Sequence, residues 1–162
     1  YDLCFSMFDY LTARPGMFQM RLFPSRITPG CLPSLAEQID SVADLKNHRL
    51  IHESRICEDW TQWALHFGVS SIDPTEGDTY PNLDMATKAA VMGNGILMAD
   101  LALCRDELAA GTLVLPFPDM ICDAADGDFS VLCAEKRRSE PAISAFLAWI
   151  DEAAQAERHA LQ

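Results

Sequence analysis

The stretch Thr79–Asp100, with the sequence TYPNLDMATKAAVMGNGILMAD, decides the fold. It predicts a helix over Asn82–Met92, because Asn82 is a favoured N-cap and the apolar residues that follow recur at helical spacing. The segment Gly93-Asn94-Gly95 is placed to end that helix. The apolar run Ile96–Met98 then predicts a short strand. A capped helix that leads directly into a buried strand is typical of an α/β fold.

Outward from this stretch, predicted strands and helices alternate along the chain. The longest predicted helices cover Cys57–Phe67 and Glu140–Ala156, and Pro29-Gly30 is expected to interrupt the chain. Short helical turns are predicted after Ser34 and Ser41. We therefore expect an α/β fold with a largely parallel sheet. The predicted strands are Leu3–Met7, Met20–Thr28, Leu50–His52, Ile96–Met98, Leu113–Leu115 and Phe129–Ala134.

Composition excludes several classes of function. The chain has 162 residues and a net charge of −12, and an acidic surface repels nucleic-acid phosphates. Its densest basic group, Lys136-Arg137-Arg138, is too short for a DNA-binding patch and is interpreted as a solvated loop. We expect no membrane association, because no apolar run approaches about 18 residues. The six cysteines form no CxxC pair, which favours reduced, mostly buried thiols in a cytoplasmic protein.

The sequence contains no recognisable catalytic template. A GxSxG elbow, an HExxH helix and a P-loop are all missing, so we do not expect an enzyme, a cofactor or a metal. His48 and His52 are four residues apart, but they are better interpreted as surface or strand-end histidines than as metal ligands. Trp60 and Trp63 share a predicted helix face, and core packing is favoured over base stacking.

Five passages, in a fixed order, cover most of the chain and carry a family pattern. They are SVADLKNHRLIH (41–52), DWTQWALHFGV (59–69), YPNLDMATKAAVMGNGI (80–96), LAAGTLVLPF (108–117) and SAFLAWI (144–150). Together they resemble the effector domain of LysR-type transcription regulators. The resemblance is greatest to the branch that includes the glycine-cleavage and β-lactamase-inducer regulators.

The resemblance implies an α/β domain of two lobes, like a type-2 periplasmic binding protein, joined by two crossover strands. Lobe one would comprise residues 1–26 and 133–162, and lobe two would comprise residues 27–132. The family's DNA-binding helix-turn-helix, its linker helix and the first βαβ unit of lobe one have no counterpart here. The resemblance thus implies a domain that is N-terminally incomplete.

The resemblance also implies partners and a mechanism. A small-molecule effector would bind between the lobes and shift their orientation, which requires different affinities for the two arrangements. The full-length chain would form a dimer or tetramer and would contact DNA only through the N-terminal domain. The protein would be cytoplasmic.

Six residues at strand ends and helix starts are the candidate ligand contacts. Asn82 is the first, since its side chain and the free N–H groups of the helix start could hold an anionic or carbonyl group. A plain N-cap is the alternative interpretation, and one residue can serve both roles. For the other five, a structural role is the favoured alternative; they are Thr28 and Phe129 on the crossover strands, Ser6, His52 and Ser54.

Three other functions stay open from the sequence. A solute-binding protein of a transporter shares the lobed architecture, but it should carry a signal peptide and few free cysteines. An enzyme on the same scaffold would need a convergent acid, base or nucleophile. A dimerisation module would expose an apolar helix face without a cleft.

Overall fold

The computed structural model describes residues 2–7, 15–53, 58–125 and 127–160, without the side chains of residues 156, 157, 159 and 160. The chain divides into two compact units. Unit 1 comprises Tyr1–Ser25 and Asp126–Gln162, and unit 2 comprises Arg26–Ala125. Each unit combines a sheet with helices, so both are α/β in character.

Among the described residues of unit 1, the sheet has three strands in the order β1-β8-β2, and both pairings are antiparallel. The strands are β1 (Cys4–Ser6), β2 (Met17–Phe23) and β8 (Phe129–Ala134). The sequence prediction placed residues 129–132 in lobe two, whereas the whole of β8 pairs within this sheet. The long helix α5 (Pro141–Ala160) follows in the chain.

Helix α5 provides half of the buried residues in the described core of unit 1. Its residues Ile143, Leu147 and Ala154 are buried against Leu22 and Val131 of the sheet. Their spacing of four and seven positions places them on one face of the helix. A polar link supports the packing, because the Arg158 guanidinium donates to the Leu22 carbonyl at 3.1 Å and to Asp151 Oδ1 at 2.7 Å.

In the part of unit 2 that the structure describes, the sheet has five strands in the order β5-β4-β6-β3-β7. Strand β4 runs parallel to β5 and β6, while β3 is antiparallel to β6 and β7. The strands are β3 (Arg26–Gly30), β4 (Leu50–His52), β5 (Asp78–Thr79), β6 (Ile96–Asp100) and β7 (Cys122–Asp123). The helices are α1 (Pro33–Ala36), α2 (Glu58–Phe67), α3 (Leu83–Val91) and α4 (Arg105–Ala109).

Strand β6 is buried on both faces, which explains the apolar run of its first four residues, Ile96–Ala99. Ile96 and Met98 belong to a core that includes Trp60 and Trp63 of α2. Leu97 and Ala99, which point the other way, belong to a second core formed with the alanines of α3. Helices thus cover both faces of this part of the sheet.

The prediction that Trp60 and Trp63 pack in the core is confirmed. Trp60 is 1% exposed and Trp63 is fully buried. Each indole N–H has an acceptor: Trp60 donates to the Ile51 carbonyl at 3.1 Å, and Trp63 donates to the Met120 carbonyl at 2.7 Å. Both indole rings are therefore buried with their single hydrogen-bond donor satisfied. The bond from Trp60 to Ile51 of β4 links helix α2 to the sheet.

Several local predictions are also confirmed. Asn82 caps α3, and Gly68 ends α2 with φ of +66°. Ser41 and Asp44 form a capping box at the start of a 3₁₀ helix, Val42–Asn47. The five described cysteines are free thiols, and all but Cys4 are buried: Cys31, Cys104, Cys122 and Cys133.

Other predictions are wrong, and the reasons are non-local. The sheets are mixed or antiparallel rather than largely parallel, because β1, β2 and β3 all pair antiparallel. Pro29-Gly30 continues β3 instead of breaking it, since β6 supplies its hydrogen-bond partners. Leu113–Leu115 forms no strand, and only an isolated bridge joins Val114 to Cys31.

Three further predictions, about the start of one helix and the surroundings of two segments, also differ from the structure. Pro33 occupies the first position of α1 and Leu32 is the N-cap, so Ser34 does not cap it. The apolar run Leu3–Met7 predicts a buried strand, but Phe5 of β1 is 59% exposed. The basic segment at residues 136–138 is not a simple solvated loop, because Arg137 lies in a 3₁₀ turn and forms ion pairs with Asp2 and Glu140.

Candidate functional site

The carboxyl ends of β4 and β5 meet at one edge of the unit 2 sheet. His52 of β4 lies opposite Thr79 of β5, and the Tyr80 N–H donates to the His52 carbonyl at 2.8 Å. Asn82 follows two residues later and opens α3. In open α/β sheets, ligands bind outside the carboxyl ends of parallel strands, so this edge is the candidate site.

Asn82 starts α3 from an extended conformation, with φ −163° and ψ 168°. Its Oδ1 accepts a hydrogen bond from the Met85 N–H at 3.0 Å. The side chain is exposed, and its amide nitrogen remains on the surface as a donor. The N–H groups of Leu83 and Asp84 precede the first bonds within the helix. The helix start therefore presents several donors, although the Asp84 carboxylate partly offsets their positive potential.

His52 ends β4 and is 4% exposed. Its Nε2 lies 2.9 Å from the Glu76 carbonyl oxygen, which can only accept, so Nε2 carries the proton of this bond. The ring is thus engaged with the loop that precedes β5.

Thr28 is fully buried in β3, where its hydroxyl donates to the Phe117 carbonyl at 3.2 Å. Its side chain therefore supports the fold of unit 2 in this structure. Ser54 lies outside the described residues. A ligand contact stays a prediction for both residues.

Ser6 and Phe129 belong to unit 1. Ser6 lies opposite Ser130 in the sheet, so it is a neighbour of Phe129. The Phe129 ring packs on Phe23 with centroids 4.8 Å apart. Four of the six predicted residues therefore fall into two pairs, His52 with Asn82 in unit 2 and Ser6 with Phe129 in unit 1. Their roles as ligand contacts stay predictions.

The sequence did not single out the carboxylates at the unit 2 edge. Glu53, Glu58 and Asp59 line a small cavity of about 10 Å³ beside His52. At the end of β6, Asp100 is 4% exposed, and its Oδ1 accepts from the N–H groups of Ala102 and Leu103. Acidic residues directly after a strand or at a helix start were the available signal.

A larger concavity of about 960 Å³ lies at the opposite, amino ends of β4 and β5. Its walls are residues 45–50 and 71–78. Arg49 and Asp78 pair across it at 2.8 Å, and this carboxylate raises the pKa of Arg49. Asp73 accepts from the Thr75 N–H and hydroxyl, which lowers the pKa of Asp73. Three of the charged side chains that line this concavity, Arg49, Asp73 and Asp78, are therefore already engaged with other residues of its wall.

The described ranges contain neither a cluster of metal ligands nor a membrane-spanning helix. Among those residues, no group of three His, Cys, Asp or Glu side chains is arranged to hold a metal ion. In the same part of the chain, no helix has the length and apolar character that crossing a membrane requires.

Solved structures with the same architecture define the class of protein. The effector domain of the transcriptional regulator AmpR of Pseudomonas aeruginosa matches 98% of this chain and 73% of its own, with a TM-score of 0.79 and 26% identity. The AmpR effector binding domain from Citrobacter freundii matches 95% of this chain and 74% of its own, with a TM-score of 0.77 and 21% identity. The fold is accordingly the two-lobed α/β fold of periplasmic-binding-protein type, as the sequence predicted.

Residues 1–155 match the family described as the LysR substrate binding domain, and the chain belongs to that family. The glycine cleavage system transcriptional activator of Escherichia coli (strain K12) is 28% identical over 147 residues, which are 89% of this chain and 47% of the activator. A homologue of that activator from Haemophilus influenzae is 32% identical over 107 residues, 66% of this chain and 35% of its own length.

These relatives are transcriptional regulators rather than solute-binding proteins of transporters, so the transporter alternative is wrong. This chain spans about half the length of the curated relatives it matches.

Proposed function

We propose that the chain senses a small metabolite for a LysR-type transcription regulator and has no enzymatic role. The family and its relatives, which are named as transcriptional regulators, support this proposal. The single structural observation that carries it is the position of Asn82. This residue starts α3 at the carboxyl edge of parallel strands, with its amide exposed.

The chemistry of the edge narrows the class of effector. Donors at the helix start favour a carboxylate or carbonyl group. The nearby side chains of Glu53, Glu58 and Asp59 are acidic, and the whole chain carries a charge of −12. Multiply charged anions such as phosphate esters are therefore disfavoured. A small monocarboxylate, with or without an amino group, fits these conditions best.

Regulation requires that the effector bind two conformations of the domain with different affinities. The acidic charge argues against contact between this chain and DNA. In the proposed regulator, DNA is bound by a separate N-terminal domain, and this effector-binding domain acts within a homodimer or tetramer. A regulator that acts on the chromosome works in the cytoplasm.

Thermal-shift titration of Asn82 variants with a panel of amino acids and other small monocarboxylates tests the site. We expect a ligand that raises the melting temperature of the wild type to lose this effect in Asn82→Ala. Asn82→Asp is the matched control, because aspartate caps helices as well as asparagine but has no amide donor. It should keep the stability of the helix and lose the ligand response. An unchanged midpoint shift in both variants would exclude Asn82 as a ligand contact.

A further inference from the structure

Residues 76–81, the edge segment, connect the loop after α2 to the start of α3. The segment contains β5 and delivers the chain to Asn82. Its position therefore determines where Asn82 and the donors of the helix start lie. Strand β5, which lies within this segment, is in contact with β4.

His52 holds the edge segment at two points. Its ring Nε2 bonds the Glu76 carbonyl at 2.9 Å, at the beginning of the segment. Its backbone carbonyl accepts from the Tyr80 N–H at 2.8 Å, near the end. The ring is almost completely buried, so water does not compete freely for the first of these bonds.

Gly77 shows how closely the segment approaches β4. Its φ is +135°, and a Cβ added there would lie 2.2 Å from the Leu50 carbonyl oxygen and 3.0 Å from His52 Nε2. The backbone at Gly77 thus passes directly beside β4, against Leu50 at its start and the ring of His52. This close approach lies next to Glu76, whose carbonyl the His52 ring binds.

We propose that His52 is a positioning residue for Asn82, and that its role in sensing is to fix the edge segment rather than to touch the effector. The inference rests on the proposed function only in naming Asn82 as the effector contact. The physical link is independent of any ligand. It runs from the His52 ring through Glu76, β5 and Tyr80 to the cap of α3.

The position of the donor atom in His52 suggests a conservative substitution that should restore the hydrogen bond to Glu76. The amide nitrogen of glutamine reaches about as far from the backbone as imidazole Nε2, and it also donates. The amide nitrogen of asparagine is one carbon nearer the backbone and corresponds to Nδ1. His52→Gln can therefore restore the bond to Glu76, whereas His52→Asn cannot.

Hydrogen–deuterium exchange of the ligand-free protein tests the proposal. The Tyr80 N–H reports the pairing of the edge segment, and the Met85 N–H reports the Asn82 cap. We expect His52→Ala and His52→Asn to speed exchange at both amides by about tenfold relative to amides of β6. His52→Gln should return both close to the wild-type rate.

Either of two results would overturn the proposal: wild-type exchange at Met85 in His52→Asn, or equal exchange at both amides in His52→Gln and His52→Asn. If His52→Ala fails to fold, the Gln and Asn variants still decide, since both keep a polar side chain of similar size. No effector is needed, so failure here is separate from failure of the Asn82 titration.

Discussion

The two units bury their sheets to different extents. In unit 2, β6 is buried at every position and has core clusters on both faces. In the described part of unit 1, a three-stranded sheet packs against α5, and two large aromatic residues, Phe5 and Trp149, are each 59% exposed. Because buried apolar area dominates folding free energy, we infer that unit 2 is the more stable unit and provides a rigid base for the candidate site.

The largest expected difference involves one tryptophan from each unit. Trp63→Ala should lower the free energy of unfolding of unit 2 by about 3–5 kcal/mol, because it removes a fully buried ring and leaves a cavity. Trp149→Ala should cost less than about 1 kcal/mol, since that ring is mostly exposed and mainly contacts Phe146. Urea denaturation followed by far-ultraviolet circular dichroism measures both. Equal costs for the two variants would contradict the proposed difference between the units.

A smaller difference is expected between two glycines that both have positive φ. Gly77→Ala in unit 2 should cost roughly 2–3 kcal/mol, because backbone strain is combined with a clash against the Leu50 carbonyl. Gly16 in unit 1 has φ of +83°, and a methyl group added by Gly16→Ala would have no neighbouring atom within 4 Å. It should cost about 1 kcal/mol from strain alone. The same denaturation experiment compares them, and a Gly16 variant as damaging as the Gly77 variant would refute the role of close packing.

The smallest effect concerns surface charge in unit 1. The Arg137 guanidinium lowers the pKa of Asp2 and of Glu140. A carboxyl with a lowered pKa in the folded state stabilises the fold above its unfolded pKa, near about 4, and this contribution is lost as the pH falls through the folded value. Arg137→Gln should therefore be slightly less stable than the wild type near neutral pH, and the difference should vanish in acid.

Lys88→Gln in unit 2 is the control for the charge change, because Lys88 and Asp84 form a solvent-exposed ion pair on the surface of one helix. Denaturation curves at neutral and acidic pH, at low and high salt, give the comparison. A difference for Arg137→Gln that persists in acid would show that packing, not charge, is responsible.

The sequence predicted best those features that depend on neighbours in the chain. The cap at Asn82, the stop at Gly93 and the strand beginning at Ile96 were all placed correctly. They depend on side chain–backbone bonds and backbone angles within a few residues. The fold class followed from these features and from the family resemblance.

Features that depend on distant partners were predicted poorly. Pro29 lies within a strand because β6 pairs with it from about 70 residues away. The bond from His52 to the Glu76 carbonyl spans 24 residues, and the acceptor is a backbone atom that no sequence motif marks. Thr28 was correctly placed on a strand, but its burial depends on the Phe117 segment. Near the candidate site, the sequence therefore predicted the element on which a residue lies more reliably than the contacts of its side chain.

The tryptophans also have an optical consequence. The chain has three, of which Trp60 and Trp63 are buried in unit 2 and Trp149 is largely exposed in unit 1. Indole emission shifts to longer wavelength as water relaxes around the excited ring. The buried tryptophans should therefore emit at shorter wavelength than the exposed Trp149. In a Trp149→Phe variant, all tryptophan fluorescence would come from unit 2. The protein thus carries its own fluorophores at the base of the sheet that supports the candidate site, without an added label.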